Sequence, residues 1–69
     1  MDIKWVDGHS IKVRQEDDTV VIAANRAGLL SLAVQMIELA KGEPNGHYHL
    51  DEYNGLEDRS LELIVERID

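Results

Sequence analysis

Between Asn25 and Pro44 lies the only stretch of this chain with a sustained helical period. A chain of 69 residues with one helix must build the rest of its core from strands. Leu29, Leu32, Ala33, Met36, Ile37 and Ala40 recur at the i, i+3, i+4, i+7 spacing of one helical face. Leu30 and Val34 widen that stripe, and Leu39 extends it near the end. Ser31, Gln35 and Glu38 fall on the other side. The stripe is therefore expected to face the core, with Leu30 and Val34 on a flank open to a second copy. Asn25 is a good N-cap, Lys41 suits the negative end of the dipole, Gly42 fits the residue after the helix, and Pro44 prevents continuation. Two residues fit less well. Gly28 weakens the first turn by up to about 1 kcal/mol, and Arg26 stands at the positive end of the dipole.

The flanking segments read as strands. Ile3–Val6 is a short strand candidate, followed by the hairpin signal Asp7-Gly8. In His9–Gln15, Ile11 and Val13 alternate with Ser10, Lys12 and Arg14, as in a half-buried strand. Glu16-Asp17-Asp18 makes an acidic turn, and the β-branched run Thr19–Ala24 reads as a central strand. The first third is thus expected to form a three-stranded meander. After the helix, His47–Asp51 is bounded by the turn signals Pro44-Asn45-Gly46 and Asn54-Gly55. In Ser60–Ile68, Leu61, Leu63 and Val65 share one face, and Glu62, Ile64, Glu66 and Ile68 the other. The connection Glu52–Arg59 reads as a polar loop with Leu56 tucked onto the core. The expected architecture is α+β: residues 1–69 as a single domain, an antiparallel-rich sheet of four to five strands in the order βββαββ, and one amphipathic helix on one face. The other face has no cover. Lys12, Arg14, His47, His49, Asp51, Glu62 and Glu66 are assigned to it, with Ile64 and Ile68 among them.

Alternation along His47–Asp51 directs His47, His49 and Asp51 outward and Tyr48 and Leu50 inward. Imidazoles at i and i+2 beside a carboxylate are competent ligands for zinc or iron, with His9, Glu62 or Glu66 as further donors. A metal site on His47, His49 and Asp51 is the alternative reading. The principal reading is a polar sheet face without metal or cofactor, because no spacing fixes a third ligand. Catalysis is not expected. There is no cysteine, no glycine-rich phosphate loop and no serine elbow, and His49 beside Asp51 is at most an oriented base without a nucleophile. Trp5 and Tyr48 are assigned to the core, Tyr48 with its hydroxyl at the edge. Tyr53, in the polar loop, is the better interface anchor.

Charge narrows the partners. Fourteen acidic against seven basic residues give −7, which argues against a phosphate backbone or an anionic membrane surface and favours a basic protein. No apolar run approaches the ~20 residues of a membrane span. The start Met1–Trp5 lacks the basic and apolar character of a signal peptide, so a cytoplasmic protein is expected. A chain this short buries only about 60% of its unfolded surface. Without cysteine no disulfide can reinforce it, which makes a homodimer an expectation. Acidic clusters occur at Glu16-Asp17-Asp18, Asp51-Glu52 and Glu57-Asp58. Of these, Asp51, Glu52, Glu57 and Asp58, with Tyr53 between them, form the expected partner-binding rim.

Three segments complete the reading: Asn25-Arg26-Ala27-Gly28-Leu29-Leu30-Ser31-Leu32-Ala33, His47-Tyr48-His49-Leu50-Asp51-Glu52-Tyr53-Asn54, and Leu56-Glu57-Asp58-Arg59-Ser60-Leu61-Glu62-Leu63-Ile64-Val65. Their order, N-x-x-G-L-x-x-L-A, H-x-H-L-D-E-x-N and L-E-x-x-S-x-E-L-I, resembles the immunity protein 32 family of bacterial polymorphic toxin systems. The resemblance covers roughly residues 25–67, and the first 24 residues carry little of it. It implies a small cytoplasmic protein that binds and neutralises a cognate toxin, and it brings no catalytic residues with it. An acidic domain is suited to occluding a basic enzyme such as a nuclease toxin.

Overall fold

The computed structural model describes residues 3–69. Its elements run β1 (Ile11–Glu16), β2 (Thr19–Ala24), α1 (Arg26–Lys41), β3 (His47–Leu50) and β4 (Leu63–Glu66). The class is α+β as expected, but the strands form two antiparallel pairs, β1–β2 and β3–β4, instead of one sheet of four to five strands. The β1–β2 register sets Ile11 opposite Ala24 and Val13 opposite Ile22, and the acidic turn between them holds Asp17 at φ 53. Tyr48 lies opposite Val65 and Leu50 opposite Leu63 in the second pair.

Ile3–Val6 is not a strand, and the expected meander is absent. The reason is competition for the outer edge of β1. The segment before β4 takes that edge: Glu57 N donates to Ile11 O (2.8 Å), Leu61 N to Val13 O (2.8 Å), and the Ser60 hydroxyl accepts from Val13 N (3.2 Å). This irregular segment links the two strand pairs. Pairing in β1 also starts at Ile11 rather than His9. Asp7-Gly8 does turn, with Gly8 at φ 80, but it closes no hairpin.

The displaced N-terminal segment lies along the helix, where side chains satisfy its backbone. Val6 N donates to the Ser31 hydroxyl (2.8 Å), and Gln35 Nε2 donates to Lys4 O (2.9 Å). These contacts reverse the expected orientation of α1. Its buried residues are Gly28, Ser31, Leu32, Gln35 and Leu39. That series also has helical spacing, so period alone does not choose between the two faces. Of the expected core stripe Leu32 and Leu39 are buried; Leu29, Ala33, Met36, Ile37 and Ala40 are exposed, as are Leu30 and Val34. A buried amide or hydroxyl without a partner costs more than a half-exposed leucine loses. Here the Ser31 hydroxyl and Gln35 Nε2 have backbone partners, Gln35 Oε1 is buried without one, and the apolar face is left outside.

The helix ends match the expectation. Asn25 is the N-cap: its Oδ1 accepts from Gly28 N (2.8 Å) and Ser10 N (3.0 Å), and its Nδ2 donates to Gly8 O (2.9 Å). One side chain thus caps the helix and fixes the turn before β1. At the far end Gly42 is the C-cap, and the Arg67 guanidinium donates to Gly42 O (3.0 Å).

The core is small: Ile11, Val13, Leu32, Leu39, Tyr48, Leu50 and Leu56, with Ile3, Trp5, Ala24, Leu63 and Val65 half-buried against it. Leu56 tucks inward as expected. Tyr48 is in the core, but its hydroxyl is not at the edge. That oxygen is buried without a hydrogen-bond partner, and burial raises the phenol above its usual range. Tyr48→Phe is expected to be neutral or to stabilise the fold by about 1 kcal/mol, since it removes an unpaired polar atom. The sign of the pH effect follows. Below the unfolded phenol value of about 10 the ring is neutral in both states. Above it the unfolded chain ionises first, so the wild type loses stability until the folded value is passed. Thermal melts at pH 8 and pH 11 should show a smaller alkaline loss in the variant. A large loss at pH 8 would reveal a partner for the hydroxyl.

Candidate functional site

The polar face and the loop after β3 are where the sequence places its candidate residues. Residue alternation holds through β3: Tyr48 and Leu50 are buried, while His47 and His49 are exposed. Their rings meet edge to face with centroids 6.4 Å apart, opposite Glu66 and Ile64 on β4. Asp51 does not join them as a ligand. Its Oδ1 accepts from Tyr53 N (2.9 Å), which turns the carboxylate into the bend of the loop. Among the described residues no group of three or more histidine, cysteine or acidic side chains is placed to hold a metal. The structure thus does not bring His47, His49 and Asp51 together as a ligand set.

The loop itself is built rather than loose. Asp51 forms β-bridges with Asn54 and Gly55, and its carbonyl accepts from Asn54 N and Leu56 N, both at 3.0 Å. Asn54 Nδ2 reaches back to His49 O (3.0 Å). Gly55 adopts φ 92 and lies so close to the Trp5 ring that a Cβ there would overlap it. Trp5 in turn stacks on His9, with ring centroids 4.4 Å apart. No local signal points to this Trp5–Gly55 contact, because fifty residues separate the partners and neither belongs to a strand. Further along, Glu52 Oε2 accepts from Arg59 N (3.1 Å), and Lys12 Nζ donates to Asp58 O (2.8 Å). Hydrogen bonds at Asp51, at Leu56 and along β1 anchor the loop on both sides of its tip.

The five rim residues therefore divide in two. Asp51 and Glu52 use their carboxylates within the loop. Glu57 and Asp58 are exposed, and their side chains enter no ion pair among the described residues. Tyr53 stands at the tip with 98% of its surface exposed. An aromatic ring held out by an ordered backbone between carboxylates suits contact with a cationic surface, through area, cation–π attraction and arginine–carboxylate pairing.

One cleft of about 150 Å³ lies between the end of α1 and the start of β3, lined by Glu38, Leu39, Gly42, Glu43, Gly46 and His47. Ordinary ligand pockets hold about 300–1,000 Å³. Among the described residues no helix is long and apolar enough to cross a membrane.

The family model described as immunity protein 32 matches residues 19–68. That span takes in β2 as well as the segments that carry the resemblance in the sequence. No curated protein matches the chain, and no solved structure does.

Proposed function

The chain belongs to the immunity protein 32 family, and we propose that it binds a cognate bacterial toxin in the cytoplasm and neutralises it by occlusion, without catalysis. The contact surface is the loop after β3: Tyr53 as the anchor, Glu57 and Asp58 as the free carboxylates, Asp51 and Glu52 as the residues that hold the loop in shape while adding charge. The partner is basic, and a nuclease toxin fits best, because carboxylates set on a rigid loop can occupy a surface that otherwise takes phosphates.

The observation that carries this reading is Tyr53, fully exposed on a backbone fixed at both ends. A monomeric domain gains nothing from holding an aromatic residue out in water on a hydrogen-bonded backbone. An interface does, since less freedom is lost on binding. Capture from the native host with this protein as bait tests the reading. The expected result is a basic, toxin-like protein released by salt, whose toxicity on expression is suppressed when this chain is co-expressed. Recovery of no such partner, or unchanged toxicity, counts against it.

A further inference from the structure

The exposed face of α1 is a second surface, and it differs from the acidic loop in every chemical respect. Ile37 and Leu29 are 57% and 56% exposed, and Leu30, Val34 and Met36 stand out beside them. Leu30, Ala33, Ile37 and Ala40 follow the 3-4-3 spacing of an a/d seam, which keeps one stripe facing a partner helix. Leu29, Val34 and Met36 flank it. From Thr19 to Ile37 there is no carboxylate, in a chain that carries fourteen. A basic partner finds nothing to pair with here. A like-charged copy meets no carboxylate across this stretch.

We infer that this face binds a second copy of the chain, with the two α1 helices packed antiparallel about a two-fold axis at the level of Gln35. In that register Leu30 faces Ala40 and Ala33 faces Ile37, so every layer sets a large residue against a small one and the helices approach evenly. A parallel pair stacks Leu30 on Leu30 and Ala33 on Ala33, alternating crowded and empty layers, and sets Arg26 against its own copy. The antiparallel pair instead moves Arg26 to the far end of the partner helix, beside Glu43. Arg26 is otherwise at the wrong end of its own dipole and enters no ion pair among the described residues. Lys41 flanks that end and Arg67 hydrogen-bonds there, so the Arg26–Glu43 pair sets orientation more than affinity. The apolar patch is on the order of 500 Å², at the upper end of what monomers expose. Two such patches offer at most roughly 1,000 Å² for burial, about the lower limit of a specific interface.

Sedimentation equilibrium tests this without any toxin. The wild type is expected to sediment at twice its chain mass at roughly 100 µM and to dissociate on dilution, as suits an interface of this size. Ile37→Glu should be monomeric with unchanged helical circular dichroism, because that side chain is not needed by the fold. Arg26→Glu and Glu43→Arg should each weaken association several-fold, and the double variant should restore it. A monomeric wild type at that concentration, or a dimer that survives Ile37→Glu, overturns the inference. Single charge variants without effect, or a double variant that fails to restore association, overturn the antiparallel register.

Discussion

Gly28→Ala is expected to lower stability by about 2–3 kcal/mol, although alanine is the better helix former. On propensity alone the change should stabilise α1 by about 1 kcal/mol. Packing reverses the sign. A Cβ at this position would stand 2.6 Å from Ser10 O, 2.8 Å from Ile11 Cγ1 and 3.1 Å from Ala24 Cβ. The nearest atom belongs to the backbone and cannot rotate away. Ser10 O also accepts from Asn25 N (3.1 Å), and Ser10 N donates to the Asn25 side chain that caps the helix. Moving the helix off β1 therefore strains the cap, worth about 1 kcal/mol, in addition to the usual 1–3 kcal/mol of overpacking. Urea denaturation should show a lower midpoint at unchanged slope, and the melting temperature should fall by about 10–20 °C for a domain this small. A rise in stability would mean that helix and hairpin are not in contact at Gly28.

That residue marks where the sequence was legible and where it was not. A glycine in the first turn reads as a weakness when only local propensity is weighed, and the contact that requires it joins residues eighteen apart. Local signals did locate β2, the helix and both its caps, the alternation of His47, Tyr48, His49 and Leu50, and the inward turn of Leu56. Each depends on nearest neighbours or on side-chain period. The face of α1 did not follow, because two faces have helical period and the choice depends on Ser31 and Gln35 finding backbone partners at Val6 and Lys4. Nor did the sheet. Ile3–Val6 has the composition of a strand, but the edge it would need is taken by Glu57 to Leu61, a polar segment with no strand pattern at all. In the loop after β3 the sequence identified the exposed residues and missed the division of labour, since nothing in the order of residues says that Asp51 and Glu52 bind their own backbone.

That division decides how the rim is to be perturbed. Reversing all four carboxylates would disturb the loop along with its charge, because Asp51 holds Tyr53 N and Glu52 holds Arg59 N. The informative variant is Tyr53→Ala with Glu57→Lys and Asp58→Lys, which touches no hydrogen bond that shapes the loop. Lys12 contacts Asp58 only through the carbonyl, so the substitution leaves that bond in place. Against the cognate toxin this variant is expected to bind about 10²–10³-fold more weakly. Loss of a central aromatic anchor costs about 2 kcal/mol or more, and reversing two rim charges slows association and flattens its salt dependence. The two contributions separate in kinetics: Tyr53→Ala alone should raise the dissociation rate, and the charge pair alone should lower the association rate. Stability and helical content should match the wild type, because all three side chains are exposed. Asp51→Asn is the complementary control. It removes charge but keeps an oxygen for Tyr53 N, so binding should weaken only modestly while the loop stays formed. If the triple variant binds the toxin as tightly as the wild type, the contact lies elsewhere, and the acid-free face of α1 becomes the surface to test for the toxin as well.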